Sequence, residues 1–131
     1  MHETITIRPE AKWSYKVNIG DHEMHISESG IGDIEAPSPG ELLAASLGTC
    51  NALVAEAFLR KHELSEEGVK VDVDYDYSRS PKRLSHFTLR VILPISLDED
   101  MRQRFEAQLE RCTIHQTLKR APEVVTVIEE P

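Results

Sequence analysis

A single long helix pattern at residues 38–61 constrains this chain more than any other feature. Ser38 can cap a helix, Pro39 fits its first position, and Glu41 completes the capping-box pattern. Between residues 42 and 59, apolar side chains cover more than half of the helix circumference. We therefore expect a central, well-buried helix. The residues expected on its inward stripe are Leu43, Leu47, Cys50, Val54 and Phe58.

Strand patterns precede this helix. Apolar and polar residues alternate over residues 4–7 and again over residues 13–19. A Gly-Asp turn signal follows, and Met24 and Ile26 continue the alternation in a hairpin partner. The glycine- and proline-containing segment 27–39 predicts a loop that leads into the helix.

Two more strands, a second helix and a terminal strand are predicted after the long helix. Residues 69–77 alternate valine or tyrosine with charged residues, residues 78–84 predict a turn, and a returning strand starts near residue 87. A second capping-box pattern at residues 96–99 opens a helix, and residues 124–128 predict the terminal strand. The residues expected to face inward on the second helix are Met101, Phe105, Leu109 and Cys112.

This order predicts an α+β fold with antiparallel sheets and two principal helices, in one domain over residues 1–131. No apolar run approaches the roughly 20 residues of a membrane span, so no membrane association is expected. The N-terminus lacks the order of a signal peptide, and we expect a cytoplasmic protein. The net charge of −8 argues against nucleic-acid binding, which needs a basic surface. The basic residues Arg79, Lys82 and Arg83 are expected in a solvated turn.

The chain has two cysteines, Cys50 and Cys112, and each lies on an apolar stripe. If the fold brings them together they form a dithiol suited to redox chemistry, and if it does not they are two small hydrophobic core residues. Cys50 lies about three turns into its helix, too deep for strong help from the helix dipole. Cys112 is expected at a helix C-terminus, where the dipole opposes a thiolate, so it suits a resolving thiol better than an attacking one.

His115 follows Cys112 by three residues. It is a candidate to supply a proton or to orient the site, and the alternative is a partly exposed histidine on a helical turn. A Cys112–His115 metal pair needs two more ligands, and His22 and His25 share no face of a strand at their spacing. We expect no metal.

Two motifs resemble the OsmC/Ohr family of osmotically inducible and organic-hydroperoxide-resistance proteins. They are Pro-Gly-Glu-Leu-Leu-Ala-Ala-Ser-Leu-Gly-Thr-Cys at residues 39–50 and Cys-Thr-Ile-His-Gln-Thr-Leu at residues 112–118. The resemblance implies an intertwined α+β homodimer with the long helices packed centrally and active sites at the subunit interface. It also implies thiol-dependent reduction of hydroperoxides without a metal or other cofactor.

The resemblance further implies a role for each cysteine. Cys50 would be the peroxidatic thiol, which attacks the peroxide and becomes a sulfenic acid. Cys112 would condense with that sulfenic acid to form a disulfide, which an external dithiol reduces.

The chain departs from the peroxidase pattern of the family at three places. Gly40 stands where those members carry a catalytic glutamate, and Glu41 lies about half a turn around the helix from Cys50. Capping explains Glu41 without catalysis. Arg8 and Lys12 lie in the region of the family's N-terminal arginine, and no motif selects either one. Thr113 stands where the OsmC-like branch, which this chain resembles more closely, commonly has proline.

Three functions follow as hypotheses. The first is a thiol peroxidase that acts on hydroperoxides. The second is a binding or redox-sensing dimer with an apolar interface pocket and little turnover, which the missing glutamate favours. The third is a purely structural fold with two core cysteines.

Overall fold

The computed structural model describes residues 3–131, and in this range the chain forms five strands, three helices and two antiparallel sheets. The expected α+β class is confirmed. The elements are β1 (Ile5–Ala11), β2 (Ser14–Ile19), β3 (His22–Ser27), α1 (Pro39–Lys61), β4 (Lys70–Arg79), β5 (Lys82–Ile92), α2 (Glu99–Leu109) and α3 (Thr113–Lys119).

The described residues form two compact units. The first contains the chain up to Ala45 together with Tyr75–His86, and the second contains Ser46–Asp74 and Phe87–Pro131. Helix α1 and strands β4 and β5 each contribute residues to both units.

The three-stranded sheet of the first unit has the order β1-β2-β3. Val17 pairs with Ile7 on one side and Met24 on the other, which confirms the predicted hairpin register, and its side chain is buried. The buried hydroxyls of Ser14 and Ser27 hydrogen bond at 2.9 Å. These paired hydroxyls hold the end of the sheet against the following loop, because the Ser14 hydroxyl also accepts a hydrogen bond from the Ile34 N–H at 3.0 Å.

Helix α1 begins where the capping box predicted. The Glu41 N–H donates to Ser38 Oγ at 3.2 Å, and the Ser38 N–H donates to Glu41 Oε1 at 3.0 Å. Two of the N–H groups left unpaired at a helix start are thereby satisfied, which fixes the first turn.

The expected inward stripe on α1 is confirmed at Leu47 and Phe58, which are buried, and is wrong at its other three residues. Leu43 is 38% exposed, and Cys50 and Val54 are only half-buried. Leu53 is 63% exposed, so the helix buries one face and not its whole circumference in the single chain. The residues that are buried on α1 are Ala44, Leu47, Gly48, Asn51, Ala55, Phe58 and Leu59.

The core of the second unit forms where α1 meets α2. Ala55, Phe58, Leu59 and Phe105 are buried together, and the rings of Phe58 and Phe105 lie 5.1 Å apart. Against the expectation from the sequence, α1 is long and apolar enough to span a membrane, a test that the core helix of a soluble protein also passes. Its buried face in this core accounts for part of that apolar composition.

Two predicted boundaries are wrong because hydrogen bonds extend or shift the elements. Strands β4 and β5 continue into the predicted turn, so only Ser80 and Pro81 connect them. Asp98, not Ser96, caps α2, because its Oδ1 accepts a hydrogen bond from the Met101 N–H at 2.8 Å.

The end of the chain differs more strongly from expectation. The second helix stops at Leu109 instead of continuing to Cys112, and a separate short helix follows. The predicted terminal strand at residues 124–128 is wrong for the single chain, since this segment pairs with no strand in residues 3–131. Val124 and Ile128 are about 80% exposed in the extended segment (82% and 80%).

We predict that Ser38→Ala lowers the free energy of unfolding by about 1 kcal/mol, because the Glu41 N–H loses its acceptor at the start of α1. Urea unfolding followed by far-UV circular dichroism measures the change. Ser29→Ala is the matched control, since the Ser29 side chain lies in an exposed turn. An equal loss in both variants would show that the capping box does not stabilise α1.

Candidate functional site

The two cysteines meet within the second unit. Helix α1 presents Cys50, and Cys112 immediately precedes α3. Both are free thiols, and each lies close enough to the other to shift its pKa. They are therefore a dithiol and not two isolated core residues.

The position of Cys112 differs from the one expected from its sequence. It is the N-cap of α3, with extended backbone at ψ 129°, and its Sγ accepts a hydrogen bond from the His115 N–H at 3.5 Å. The break arises because the chain turns after Leu109, whose carbonyl accepts from the Cys112 N–H at 3.2 Å. The sulfur thus faces backbone donors and not the acceptor end of a helix.

The surroundings push the pKa values of the two thiols apart. Burial raises the pKa of Cys50, and the hydrogen bond to Cys112 raises it further, against the backbone N–H groups of Ile114 and Thr113. Burial acts in the same direction on Cys112, but the nearby Cys50 thiol, the His115 N–H and the Asn51 side chain outweigh it and lower the Cys112 pKa. These directions favour the thiolate at Cys112 over the thiolate at Cys50. The expectation that Cys112 lies at a helix C-terminus is wrong, because it caps the start of α3.

His115 lies beside this pair with one ring nitrogen available. Its Nδ1 is buried and has no hydrogen-bond partner among the described residues. The imidazole borders an apolar cavity of about 270 Å³, and Leu47, one turn before Cys50, forms another wall. The other lining residues are Phe87, Leu89, Leu118 and Lys119. This cavity offers space for a small organic group next to a proton-carrying side chain.

Glu41 belongs to the start of α1. Its carboxylate accepts the Ser38 N–H, and the hydrogen bonds from the backbone and side chain of Ser38 lower its pKa. At the neighbouring Gly40, an added Cβ would lie 2.7 Å from the Tyr77 hydroxyl, so a side chain at this position would require Tyr77 to move. These contacts give Glu41 a structural role and explain the glycine at position 40.

The region of the family's arginine shows exposed side chains. Arg8 is exposed on β1, and Lys12 is exposed in the turn that follows it. Neither forms an ion pair among those found in residues 3–131. In the same range, no group of three or more His, Cys, Asp or Glu side chains is placed to hold a metal ion.

The sequence-based reasoning missed Asn51. Its side chain is 3% exposed and adjoins Cys112, where it lowers the pKa of the thiol. The Nδ2 group meets no acceptor in hydrogen-bond geometry within residues 3–131. The sequence does contain a hint, because an amide residue directly follows Cys50 in an otherwise apolar helix. The predicted inward stripe included Cys50 and left out Asn51.

Comparison with known proteins gives a consistent picture. The family model of OsmC-like proteins matches residues 31–127. No curated protein sequence matches the chain significantly.

Three solved structures illustrate the similarity of the fold. A protein from Psychrobacter arcticus, named for osmotic stress induction and detoxification, superposes with a TM-score of 0.79 at 20% identity, over 89% of this chain and 88% of that one. An OsmC-like protein from Mycoplasma pneumoniae gives 0.75 at 17% identity, over 92% and 89%. The organic hydroperoxide resistance protein OhrB of Bacillus subtilis gives 0.66 at 16% identity, over 92% and 93%.

We predict two separate thiol ionisations, with Cys112 the more acidic thiol, because backbone and side-chain donors surround its sulfur while burial dominates at Cys50. Absorbance at 240 nm against pH measures thiolate formation. Cys112→Ser should remove the lower step and Cys50→Ser should keep a step below the value of an ordinary thiol. If the lower step disappears with Cys50→Ser and survives in Cys112→Ser, the order is reversed.

Proposed function

Because the chain belongs to the OsmC-like protein family, we propose that its Cys50–Cys112 dithiol reduces hydroperoxides in the response to oxidative stress. The observation that carries this proposal is the pair of free thiols that lie close enough to shift each other's pKa. One solved structure with the same fold is that of a protein named for organic hydroperoxide resistance. The apolar cavity at His115 supports an organic hydroperoxide as substrate, because its walls suit an apolar substituent.

In the proposed reaction Cys50 attacks and Cys112 acts first as its base. Cys50 is the more exposed thiol, whereas Cys112 is 1% exposed. As the Cys50 sulfur attacks the terminal peroxide oxygen, its proton passes to the neighbouring Cys112 thiolate. An S–O bond forms and the O–O bond breaks, so Cys50 becomes a sulfenic acid and an alkoxide leaves.

The alkoxide takes a proton and leaves as the alcohol. Cys112 holds the proton received from Cys50, and His115 can relay it because its Nδ1 has no other partner among the described residues. Loss of this proton regenerates the Cys112 thiolate. The thiolate then attacks the Cys50 sulfur and displaces hydroxide, which is protonated to water. One dithiol and one hydroperoxide thus give one disulfide, one alcohol and one water.

An external dithiol closes the cycle in this proposal. Its thiolate opens the disulfide through a mixed disulfide, and its second thiol releases the reduced protein. We place this cycle in the cytoplasm, where thiols are kept reduced. No metal or other cofactor enters any step.

A redox-sensing or binding role is the second candidate, and the electrostatics of Cys50 favour it. Burial raises the pKa of this thiol, and the family's glutamate position is the glycine beside Tyr77. A sensor would oxidise once per dithiol and would not turn over rapidly when reductant is supplied.

We also propose that the protein is a homodimer. The C-terminal segment carries four apolar side chains, between 73% and 82% exposed, that the single chain leaves uncovered: Val124, Val125, Val127 and Ile128. Leu53 on α1 is also exposed. Apolar surface of this kind is typical of an interface, and a second copy is the partner that the family resemblance implies.

We predict that Cys50→Ser abolishes dithiol-driven peroxide consumption, because the attacking sulfur is gone. Cys112→Ser should slow the oxidation of Cys50 by about 100-fold through loss of the base, and should leave a sulfenic acid that dimedone traps. A ferrous-oxidation assay measures peroxide, and mass spectrometry measures the adduct. Wild-type consumption no faster than that of a variant without cysteines would contradict the peroxidase proposal and favour the second candidate.

We predict a mass in solution of twice the chain mass of 14.8 kDa, measured by multi-angle light scattering after gel filtration. Val127→Asp should shift the population to monomer, because it places a charge in the exposed apolar segment. Ser65→Asp adds the same charge at an exposed loop position and should leave the dimer intact. A monomeric wild-type protein at micromolar concentration would contradict the dimer.

A further inference from the structure

We propose that a cavity between α1 and α2 binds an amphiphilic anion, an aliphatic chain that ends in a carboxylate. The cavity has a volume of about 460 Å³ and lies within the second unit. It shares no lining residue with the cavity at His115. Its volume falls in the range of about 300–1,000 Å³ that is typical of small-molecule sites. The inference goes beyond the proposed function, because this ligand carries no peroxide group.

Apolar side chains form most of the cavity wall. Val54, Ala57 and Phe58 contribute to it from α1, and Ala107 contributes from α2. Ala57 and Ala107 are both exposed, and their short side chains leave the space between the two helices unfilled. Transfer of an aliphatic chain from water to such a wall is favourable in proportion to the apolar area that it buries. The wall therefore suits the chain of the proposed ligand.

The charged part of the lining is basic. Lys61, Arg104 and Arg111 line the cavity, and no acidic residue does. This lining reverses the balance of the whole chain, which has 23 acidic and 15 basic residues. Asp100 pairs with Arg104 at 3.2 Å, whereas Lys61 and Arg111 form no ion pair among those found in residues 3–131. Two positive charges thus remain for an anionic head group.

Hydrogen bonding at the nearby helix ends does not account for these two basic side chains. Basic residues near a helix C-terminus often bind its last carbonyl groups. At the end of α1, the Leu59 carbonyl accepts a hydrogen bond from the Leu64 N–H at 2.8 Å. At the end of α2, the Gln108 carbonyl accepts one from the backbone N–H of Arg111 at 3.0 Å. Backbone groups therefore satisfy these carbonyls, and the side chains of Lys61 and Arg111 are available to a ligand.

A carboxylate is the anionic head group that matches this pair of cations. A guanidinium binds a carboxylate through two parallel hydrogen bonds, and an ammonium binds it as a point charge. These contacts are stronger beside an apolar wall than in open water, because the effective dielectric constant is lower there. An aliphatic carboxylate uses both the apolar wall and the basic side chains, whereas a neutral alcohol uses only the first.

Isothermal titration calorimetry of the wild-type protein tests the chain and the charge separately. We expect octanoate to bind, and octan-1-ol to bind about tenfold more weakly because the charge-assisted contacts are lost. Hexanoate should also bind about tenfold more weakly than octanoate, because two CH₂ groups are removed from the apolar wall. Acetate should not bind at millimolar concentration. Absence of octanoate binding, or equal affinity for octanoate and octan-1-ol, overturns the inference.

Charge-removing variants locate the ligand in this cavity. A variant with Lys61→Gln and Arg111→Gln should bind octanoate about tenfold more weakly and octan-1-ol as before. A variant with Arg79→Gln and Arg83→Gln is the matched control, since it removes the same charge from exposed positions in the other unit and should change neither affinity. Lys119→Gln tests the cavity at His115. If only Lys119→Gln weakens octanoate binding, the ligand lies in that other cavity and the inference is overturned.

A cavity-filling variant tests the apolar wall. Ala107→Phe should abolish the binding of octanoate and octan-1-ol, whereas Gln103→Phe adds the same ring at an exposed position of α2 outside the cavity and should have no effect. Far-UV circular dichroism checks the fold of each variant, and the variant at Lys61 and Arg111 decides if Ala107→Phe does not fold. If Ala107→Phe turns a dimer into a monomer in light scattering, a second copy covers the cavity and the inference is overturned.

The experiment separates this inference from the proposed function, because the titrations use no peroxide. Octanoate binding that depends on Lys61 and Arg111 stands even if the wild-type protein consumes no peroxide. Peroxide consumption by the dithiol likewise stands if octanoate does not bind.

Discussion

The break between α2 and α3 is the constraint on which the candidate site depends. The Cys112 N–H bonds to the Leu109 carbonyl at the end of α2, and the Cys112 sulfur accepts from the His115 N–H, so Cys112 starts a new helix three residues after α2 stops. A continuous helix through residue 112 would turn carbonyl oxygens toward the sulfur and oppose a thiolate. The short turn instead surrounds it with donors. The neighbouring Cys50 thiol also lowers the pKa of Cys112, while burial raises the pKa of Cys50.

The long helix α1 has two faces with different surroundings, one packed in the core and one exposed to solvent. Ala55, Phe58 and Leu59 bury one face against Phe105 and form the core of the second unit. Leu53 lies on a face that the single chain leaves in solvent. Cys50 falls between these faces, where it is half-buried, so it is accessible to a substrate and close enough to the core to meet Cys112. This position also explains the raised pKa of the thiol, because it is partly removed from water.

The position at which the family resemblance implies a glutamate is Gly40 in this chain, and the start of α1 shows what surrounds it. The Tyr77 hydroxyl occupies the space that a side chain at Gly40 would need, and Glu41 is committed to the helix cap with Ser38. In the proposed reaction the Cys112 thiolate takes over the role of base, and donors around Cys112 take over the role of stabilising charge. In this proposal the groups that activate the Cys50 thiol therefore lie at the start of α3 and not at the start of α1.

The sequence by itself determined the α+β class, the hairpin around Val17, the start of α1 at Ser38 and the importance of Cys50 and Cys112. These features depend on side-chain periodicity and on hydrogen bonds between near neighbours, both of which are visible in a linear pattern. Only the tertiary structure decided that Cys112 caps a separate helix, that the two thiols meet, and that Asn51 lies beside them unpaired. Helix breaks and buried polar contacts depend on which distant groups compete for the same space and the same donors. A local sequence pattern contains no information about that competition, because the competing groups are distant in the sequence.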